Sequence, residues 1–344
     1  MIVLTVLAAG CIKVKKSDNT AVLLKTEGAT REQLMNEVNR FASVNSIHAK
    51  MYLKFEDNSF AEFGSKEVYR AADGDVVVQR PGKIYMRIQV PVIKTDVAQM
   101  TSDGNKFCIA ILQDGGTGKY KKFVCGTNNA DYSKLQKEVS SADLDNGKVL
   151  KESVNAFANL RPQHFTDAVL VRPIDSADLY TQSTIFQIEE DETHSKGSPI
   201  RKVMRGYYLL DEYARDASGN PQISRRFWFD RVGGIRLARQ QLFDTRGEVA
   251  SDIVFGKPGN LTDTGNYTNL PLQITVTRPQ EKYAMTLTYQ APESATIGKA
   301  FPDSVFELKN SWGLEEIDLD KKMQEISAGQ PQNANQNSAT TKFQ

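Results

Sequence analysis

Residues 47–56 read IHAKMYLKFE, and every second side chain of this stretch is apolar. The apolar members are Ile47, Ala49, Met51, Leu53 and Phe55. Successive side chains of a β-strand point to opposite faces of the sheet, so strict alternation predicts a long strand with one buried and one wetted face. Such strands are typical of antiparallel sheets, which bury one side only, and this stretch therefore decides the fold class.

More strands are predicted on both sides of a helical middle. Ile84, Met86 and Ile88 alternate with polar residues in the same way. Gly- and Pro-containing turns separate these strands, at Asp73-Gly74, Arg80-Pro81-Gly82 and Asp103-Gly104. The predicted strands cover residues 47–56, 68–71, 76–79, 84–90, 97–101, 106–112, 184–189, 203–213, 224–231, 235–243, 249–255, 272–277, 283–289 and 305–308.

Two stretches have helical rather than strand periodicity. Thr30 is the predicted N-cap of a helix whose apolar face holds Leu34, Met35, Val38, Phe41 and Ala42. Residues 131–160 are polar and helical in character, with Val154 and Phe157 on one apolar stripe, and Arg161-Pro162 is predicted to end this helix. Residues 321–344 contain few large apolar side chains and are predicted to be a disordered tail.

No change of composition separates the two strand-rich halves, so residues 30–320 are predicted to form one domain with a helical insertion near 131–165. The predicted fold class is mainly β with helices. It is a curled antiparallel sheet, or incomplete β-barrel, lidded by α-helices. The sheet must curl because so many strands have to protect their edges, and its concave face is where the helices can bury their apolar stripes.

The first residues indicate export. Residues 1–10, MIVLTVLAAG, are uncharged and end in small side chains before Cys11, which predicts a lipoprotein signal peptide and acylation of the Cys11 thiol. Residues 11–29 are then a solvated tether. The alternative is a buried first strand with Cys11 as a core thiol. The leader places the protein in the bacterial cell envelope as a membrane-anchored lipoprotein, and Ile12 favours the outer membrane facing the periplasm.

The other two cysteines are predicted to lie opposite each other. Cys108 and Cys125 sit in strand-like runs on either side of a glycine-rich loop. Two cysteines paired across a hairpin in an oxidising compartment predict a disulfide. The alternative is two reduced thiols in the core.

Composition and motifs exclude several function classes. Lys and Arg number 43 and Asp and Glu 42, so no basic excess exists to neutralise nucleic-acid phosphates. His48, His164 and His194 are far apart, which predicts neither a metal site nor a cofactor, and no nucleophile motif indicates an enzyme. An arginine cluster is open to two interpretations. It is either a basic patch that binds anionic lipid headgroups or an acidic partner protein, or a solvated convex face, and we favour the second. Its members are Arg225, Arg226, Arg231, Arg236, Arg239 and Arg246.

Short motifs resemble a known superfamily. Residues 79–86, QRPGKIYM, are followed by Pro91 and by residues 101–107, TSDGNKF, and near the end by residues 301–306, FPDSVF. This order resembles the LolA/LolB/LppX superfamily of periplasmic lipoprotein carriers, outer-membrane lipoprotein receptors and related lipid-binding lipoproteins. The resemblance implies a half-barrel lidded by helices, with an apolar cavity for acyl chains.

The expected function follows from that cavity. Its predicted ligand-binding residues are Met51, Leu53, Phe55, Ile84, Met86 and Ile88 on the concave face, with Val154 and Phe157 in the lid. The protein would bind lipid or the acyl chains of a lipoprotein while the anchor holds it at a membrane. The alternative is a filled core and a scaffold or stress-sensing lipoprotein that acts through protein partners, whose identity the sequence does not give.

Overall fold

A computed structural model describes residues 20–57, 67–113, 121–128, 130, 132, 162–259, 261 and 269–329. The predictions for the leader, Cys11 and the tether up to residue 19 lie outside the described residues. So do those for Val154 and Phe157 and for most of the helical insertion. They stay predictions.

The described chain is mostly strand. Its first half contains β1 (Val22–Leu23), α1 (Arg31–Ala42), β2 (Ser46–Asp57), β3 (Glu67–Gln79), β4 (Lys83–Gln89), β5 (Asp96–Asp103), β6 (Lys106–Ile111) and β7 (Lys122–Thr127). Its second half contains α2 (Pro162–Val169), β8 (Leu179–Glu190), β9 (Lys202–Arg215), β10 (Pro221–Asp230), β11 (Arg236–Phe243), β12 (Val249–Pro258), β13 (Pro271–Arg278), β14 (Tyr283–Tyr289), β15 (Thr296–Ile297), β16 (Glu315–Asp318) and α3 (Leu319–Gly329).

Within the described residues, these strands form one open, curled sheet, which confirms the predicted mainly β fold. The two halves join where β14 pairs with β2, and β8 and β16 lie at the two edges. Neighbouring strands are antiparallel except for the β1–β9 and β16–β7 pairs. The curled sheet therefore has an inner face, on which the helices lie, and an outer face.

Three local predictions are confirmed: the cap of α1, the turn at Gly104 and the disulfide. Thr30 caps α1, where its side chain accepts from the Gln33 backbone N–H and the Gln33 side chain accepts from the Thr30 N–H. Gly104 turns the β5–β6 hairpin with a φ of 102°. Cys108 pairs with Cys125 across β6 and β7, and the predicted disulfide is present.

The prediction of a turn at Asp73-Gly74 is wrong, because β3 runs straight through both residues. Gly74 pairs with Met51 on β2 and with Ile88 on β4. A Cβ at Gly74 would lie 2.6 Å from Cδ1 and 2.9 Å from Cγ of Leu53. The glycine therefore makes room for the Leu53 side chain on the inner face, and turning the chain is not its role.

We expect Gly74→Ala to lower the free energy of unfolding by about 1–2 kcal/mol, because the added methyl displaces Leu53 from a filled interior. Urea denaturation of the two proteins measures the difference. Gly256→Ala is the matched control within a strand, since its new Cβ would meet only the end of the Gln273 side chain, at 3.2 Å. Equal losses for both variants would contradict the steric explanation.

Two further predictions are corrected, and a third is not tested. Pro162 begins α2, where the missing N–H of proline costs nothing, and the helix that Arg161-Pro162 is predicted to end lies outside the described residues. Residues 303–306 form a 3-10 turn in place of a strand, with Phe306 buried near β4 and β5. The tail predicted from residue 321 is helical as far as Gly329, and residues 330–344 lie outside the described residues.

Candidate functional site

The inner face of the sheet is apolar along β2 and β4, where the predicted ligand-binding residues lie. Among the predicted ligand-binding residues, Met51, Ile84 and Met86 are fully buried and Leu53 is 4% exposed. Phe55 and Ile88 are partly buried and pack against the same cluster. The structure thus brings these six side chains to one inner face, on β2 and β4, with β3 between the two strands.

Two helices cover this face. Leu34, Val38 and Phe41 of α1 are buried, and the Phe41 ring lies 5.6 Å from the ring of Phe255 on β12. Phe165 and Ala168 of α2 are buried as well, where α2 contacts β3, β4, β5 and β13. Because each helix turns its apolar stripe toward the sheet, removing either would expose apolar surface of both partners.

The space left inside is small. A cavity of about 20 Å³ lies between the ends of α1 and α2 and strands β12 to β14. Its lining includes Phe41, Val44, Val169, Phe255, Ile274 and Tyr289. This volume holds roughly one water molecule, whereas ligand pockets usually measure about 300–1,000 Å³. The described interior is therefore closely packed, and none of the six predicted binding residues lines this cavity.

Arg80 holds the ends of both helices. Its guanidinium donates to the carbonyls of Ala42, the last residue of α1, and of Val44, just beyond it, at 3.2 Å each. It also donates to the carbonyls of Leu170 and Val171, which follow α2, at 3.4 and 2.5 Å. Burial lowers the pKa of Arg80 from its ordinary value. One side chain at the β3–β4 turn therefore holds the ends of both helices through free backbone carbonyls, and we call these four contacts the Arg80 clasp.

A second arginine, Arg225, is buried and holds the segment that follows α2. Arg225 on β10 donates to the carbonyls of Arg172 and Pro173, at 2.8 Å each. It also forms a two-point ion pair with Glu212 on β9, in which Nε lies 2.7 Å from Oε1. Tyr180 of β8 donates to the same carboxylate at 2.6 Å. These contacts join residues 172–173, which follow α2 and which we call the lid segment, to β8, β9 and β10.

The sequence alone identifies neither set of contacts. Arg80 belongs to a predicted turn motif, and Arg225 to a cluster that we interpret as a solvated face. That interpretation is wrong for Arg225, whose side chain is 4% exposed. It is confirmed for Arg226 and Arg239, which lie on the outer face and pair with Asp211 and Asp252.

The histidines lie in separate environments. His48 bonds to Asp75 at 2.8 Å on the outer face, His164 of α2 bonds to the Tyr283 hydroxyl at 2.8 Å, and His194 lies in the β8–β9 connection. In the described part of the chain, no three His, Cys, Asp or Glu side chains lie close enough together to hold a metal ion. No described helix is both long and apolar enough to cross a bilayer.

Comparisons with known proteins find likeness in structure alone. No family model matches this chain, and no curated protein matches its sequence. A LolA superfamily protein from Nitrosomonas europaea matches with a TM-score of 0.38 and 11% identity, over 82% of this chain and 99% of that one. A domain described as an outer membrane lipoprotein-sorting protein, from Vibrio parahaemolyticus, matches with a TM-score of 0.37 and 8% identity, over 80% and 95%.

The complex of MucA with MucB from Pseudomonas aeruginosa matches more weakly. Its TM-score is 0.23 and its identity 13%, over 80% of this chain and 61% of that one. A solved structure of the LolA superfamily is among those that this chain is similar to, and the sequence motifs described above resemble the same superfamily.

Proposed function

We propose that this protein is a membrane-anchored lipoprotein of the bacterial envelope that binds lipid or lipoprotein acyl chains on the inner face of its sheet. The observation that carries the proposal is the clasp at Arg80, which holds the ends of α1 and α2 together over an apolar face. Because one side chain binds the ends of both helices, breaking its contacts would release both helices from the sheet. The closely packed interior is then the closed form. In the open form, acyl chains take the place of the apolar helix faces on the sheet.

The energetics of this exchange are balanced. Opening exposes the inner face and the apolar stripes of both helices, which costs free energy in proportion to the apolar area. A bound acyl chain covers the sheet again and recovers most of that cost. Lipid therefore shifts the population toward the open form in proportion to its preference for that form. The anchor at Cys11 would keep the protein at the membrane that supplies or receives the cargo.

We expect the full chain extracted from membranes to carry lipid that mass spectrometry detects, and Ile88→Glu to lower the bound lipid at least tenfold. Ile88 is on the inner face and only partly buried, so a carboxylate there repels acyl chains without entering the centre of the core. Tyr52→Glu, on the outer face of β2 and 49% exposed in the parent, is the control. Absence of lipid from the parent protein would refute acyl-chain binding.

A second function is favoured by one observation, the filled interior. With a cavity of about 20 Å³ the domain would serve as a scaffold or stress sensor that binds protein partners through its outer face or edges. The same lipid measurement separates the two functions. A stable parent protein that carries no lipid and takes up no fatty acid fits the scaffold.

A further inference from the structure

One end of the sheet exposes an apolar row that spans three strands. Leu23 of β1 pairs with Met204 of β9, which pairs on its other side with Ile188 of β8. Paired residues of neighbouring strands share a face, so these three side chains point to the same side. Phe186 is next along β8, opposite Gly206, and a Cβ on Gly206 would lie 3.0 Å from its ring. The glycine lets the Phe186 ring lie over β9.

The side chains of this row are unusually exposed. Leu23 is 64%, Ile188 58% and Phe186 48% exposed. Val22, which points to the opposite face from Leu23, and Ile200, which lies just before β9, are at the same end of the sheet and are 42% and 49% exposed. Together these five account for nearly half of the large apolar side chains exposed in the described part of the chain, and such concentration marks a surface that contacts something apolar. We call these five residues the apolar end.

The charges around the apolar end suit phosphate groups. Two acidic side chains there are neutralised, since Glu190 pairs with Arg201 at 2.9 Å and Glu189 with Arg205 at 3.5 Å, while Glu192 of the β8–β9 connection is exposed. Lys25, Lys196 and Lys202 are exposed, and among the described residues none of them is in an ion pair. Each lysine near an anionic bilayer contributes about 1 kcal/mol.

The chain outside the described residues places this end close to a membrane. Cys11 precedes Val22 by eleven residues, which span at most about 40 Å when fully extended. Val22 and Leu23 are themselves part of the apolar end. An anchor at Cys11 thus holds these residues within reach of the bilayer at a high effective concentration.

We propose that the apolar end lies against the lipid bilayer, with Leu23, Phe186 and Ile188 inserted at the level of the headgroups and the three lysines on phosphates. This proposal rests on the proposed anchor at Cys11, because acylation brings the surface to the membrane. Docking there fixes the orientation of the sheet, so that β1, β8 and β9 face the lipid and the lid helices lie beside it. The anchored protein would then have one face toward its cargo source.

The experiment supplies the anchor chemically. Vesicles are made of phosphatidylethanolamine and phosphatidylglycerol, three to one, with a maleimide lipid added. The full chain is coupled to this lipid through the Cys11 thiol. Cys108 and Cys125 do not react, because they form a disulfide. Phe186→Trp adds an emission that brominated lipid quenches on contact. Val254→Trp, at a position 43% exposed on β12, is the matched control. Coupled wild type gives the background from Trp228 and Trp312.

We expect brominated lipid to quench at least half of the added emission in Phe186→Trp and almost none in Val254→Trp. Leu23→Trp should behave like Phe186→Trp. Equal emission from Phe186→Trp in brominated and ordinary vesicles overturns the proposal. So does sedimentation showing a dimer that Ile188→Asp dissociates, because a second copy then covers the apolar end. Palmitate labelling of Cys11 in cells tests the anchor separately, so failure of acylation and failure of docking give different results.

Discussion

Arg80→Met is expected to lower the free energy of unfolding by about 2–4 kcal/mol and to raise the uptake of fatty acid by the interior. The guanidinium of Arg80 bonds four carbonyls at the ends of the two lid helices. Methionine keeps an unbranched apolar stem, although it is shorter than arginine, and it donates no hydrogen bond. Four carbonyl groups then lose their donors, while the apolar packing of the helices on the sheet is kept.

The increase in uptake has the same cause as the loss of stability. The clasp favours the closed form, so its removal shifts the population toward the open form in which the inner face is accessible. A loss of about 1.4 kcal/mol in the closed form alone would raise the apparent affinity for a fatty acid about tenfold. Urea denaturation measures the stability, and titration with a fluorescent fatty acid measures the uptake.

The control is Arg87→Met on the neighbouring strand. Arg87 points to the outer face, its side chain is 38% exposed, and it pairs with Asp75 at 3.1 Å. Exposed pairs contribute little, so a loss below about 1 kcal/mol and unchanged uptake are expected. If Arg80→Met is destabilised and takes up no more fatty acid than Arg87→Met, the helices are a permanent part of the core and the proposed opening is wrong.

Glu212→Gln is expected to lower the free energy of unfolding by about 3–5 kcal/mol. The side chains of Glu212 and Arg225 are 5% and 4% exposed, so the change leaves the Arg225 guanidinium buried without a counter-charge. The amide also cannot accept at both oxygens from Arg225, Tyr180 and Ser224, as the carboxylate does. Thermal and urea denaturation measure the loss.

The double variant Arg225→Met with Glu212→Leu is the control. Apolar residues of similar size remove both buried charges together, and such replacements are often neutral or stabilising in other proteins. We expect it to recover at least half of the stability that Glu212→Gln loses, because no buried charge is left unpaired. Recovery should be incomplete, because the Tyr180 hydroxyl and two carbonyls still lack partners. A double variant as unstable as the single one would show that the contacts to the lid segment outweigh the buried charge.

The same pair makes stability depend on pH. Burial alone would raise the pKa of Glu212, but hydrogen bonds and charge from Arg225, together with the Tyr180 and Ser224 hydroxyls, outweigh it and leave this pKa below its ordinary value of 4.5. A depressed folded-state pKa contributes stability above about pH 4.5, and that contribution is lost as the pH falls through the folded-state value. Wild type should therefore lose stability in acid through this group, and Glu212→Gln should lack that component.

The sequence by itself determined the local features. The alternation of residues 47–56 predicts β2 because a period of two is a property of the strand, whatever lies beyond it. Thr30 and Gln33 cap α1 through contacts three residues apart. The hairpin that aligns Cys108 with Cys125 is local as well. Each of these interactions is complete within about twenty residues of chain.

The tertiary structure alone decided what becomes buried and what the interior holds. Asp73-Gly74 has the composition of a turn, but Leu53 of the neighbouring strand needs the space above Gly74, and the strand continues. Periodicity could not distinguish a filled interior from a hollow one, since both need the same apolar face. Arg225 and Arg226 are identical neighbours, yet one is buried against Glu212 and the lid while the other pairs with Asp211 outside. A side chain is buried or exposed according to which distant segments pack over its face, and sequence spacing does not record those contacts.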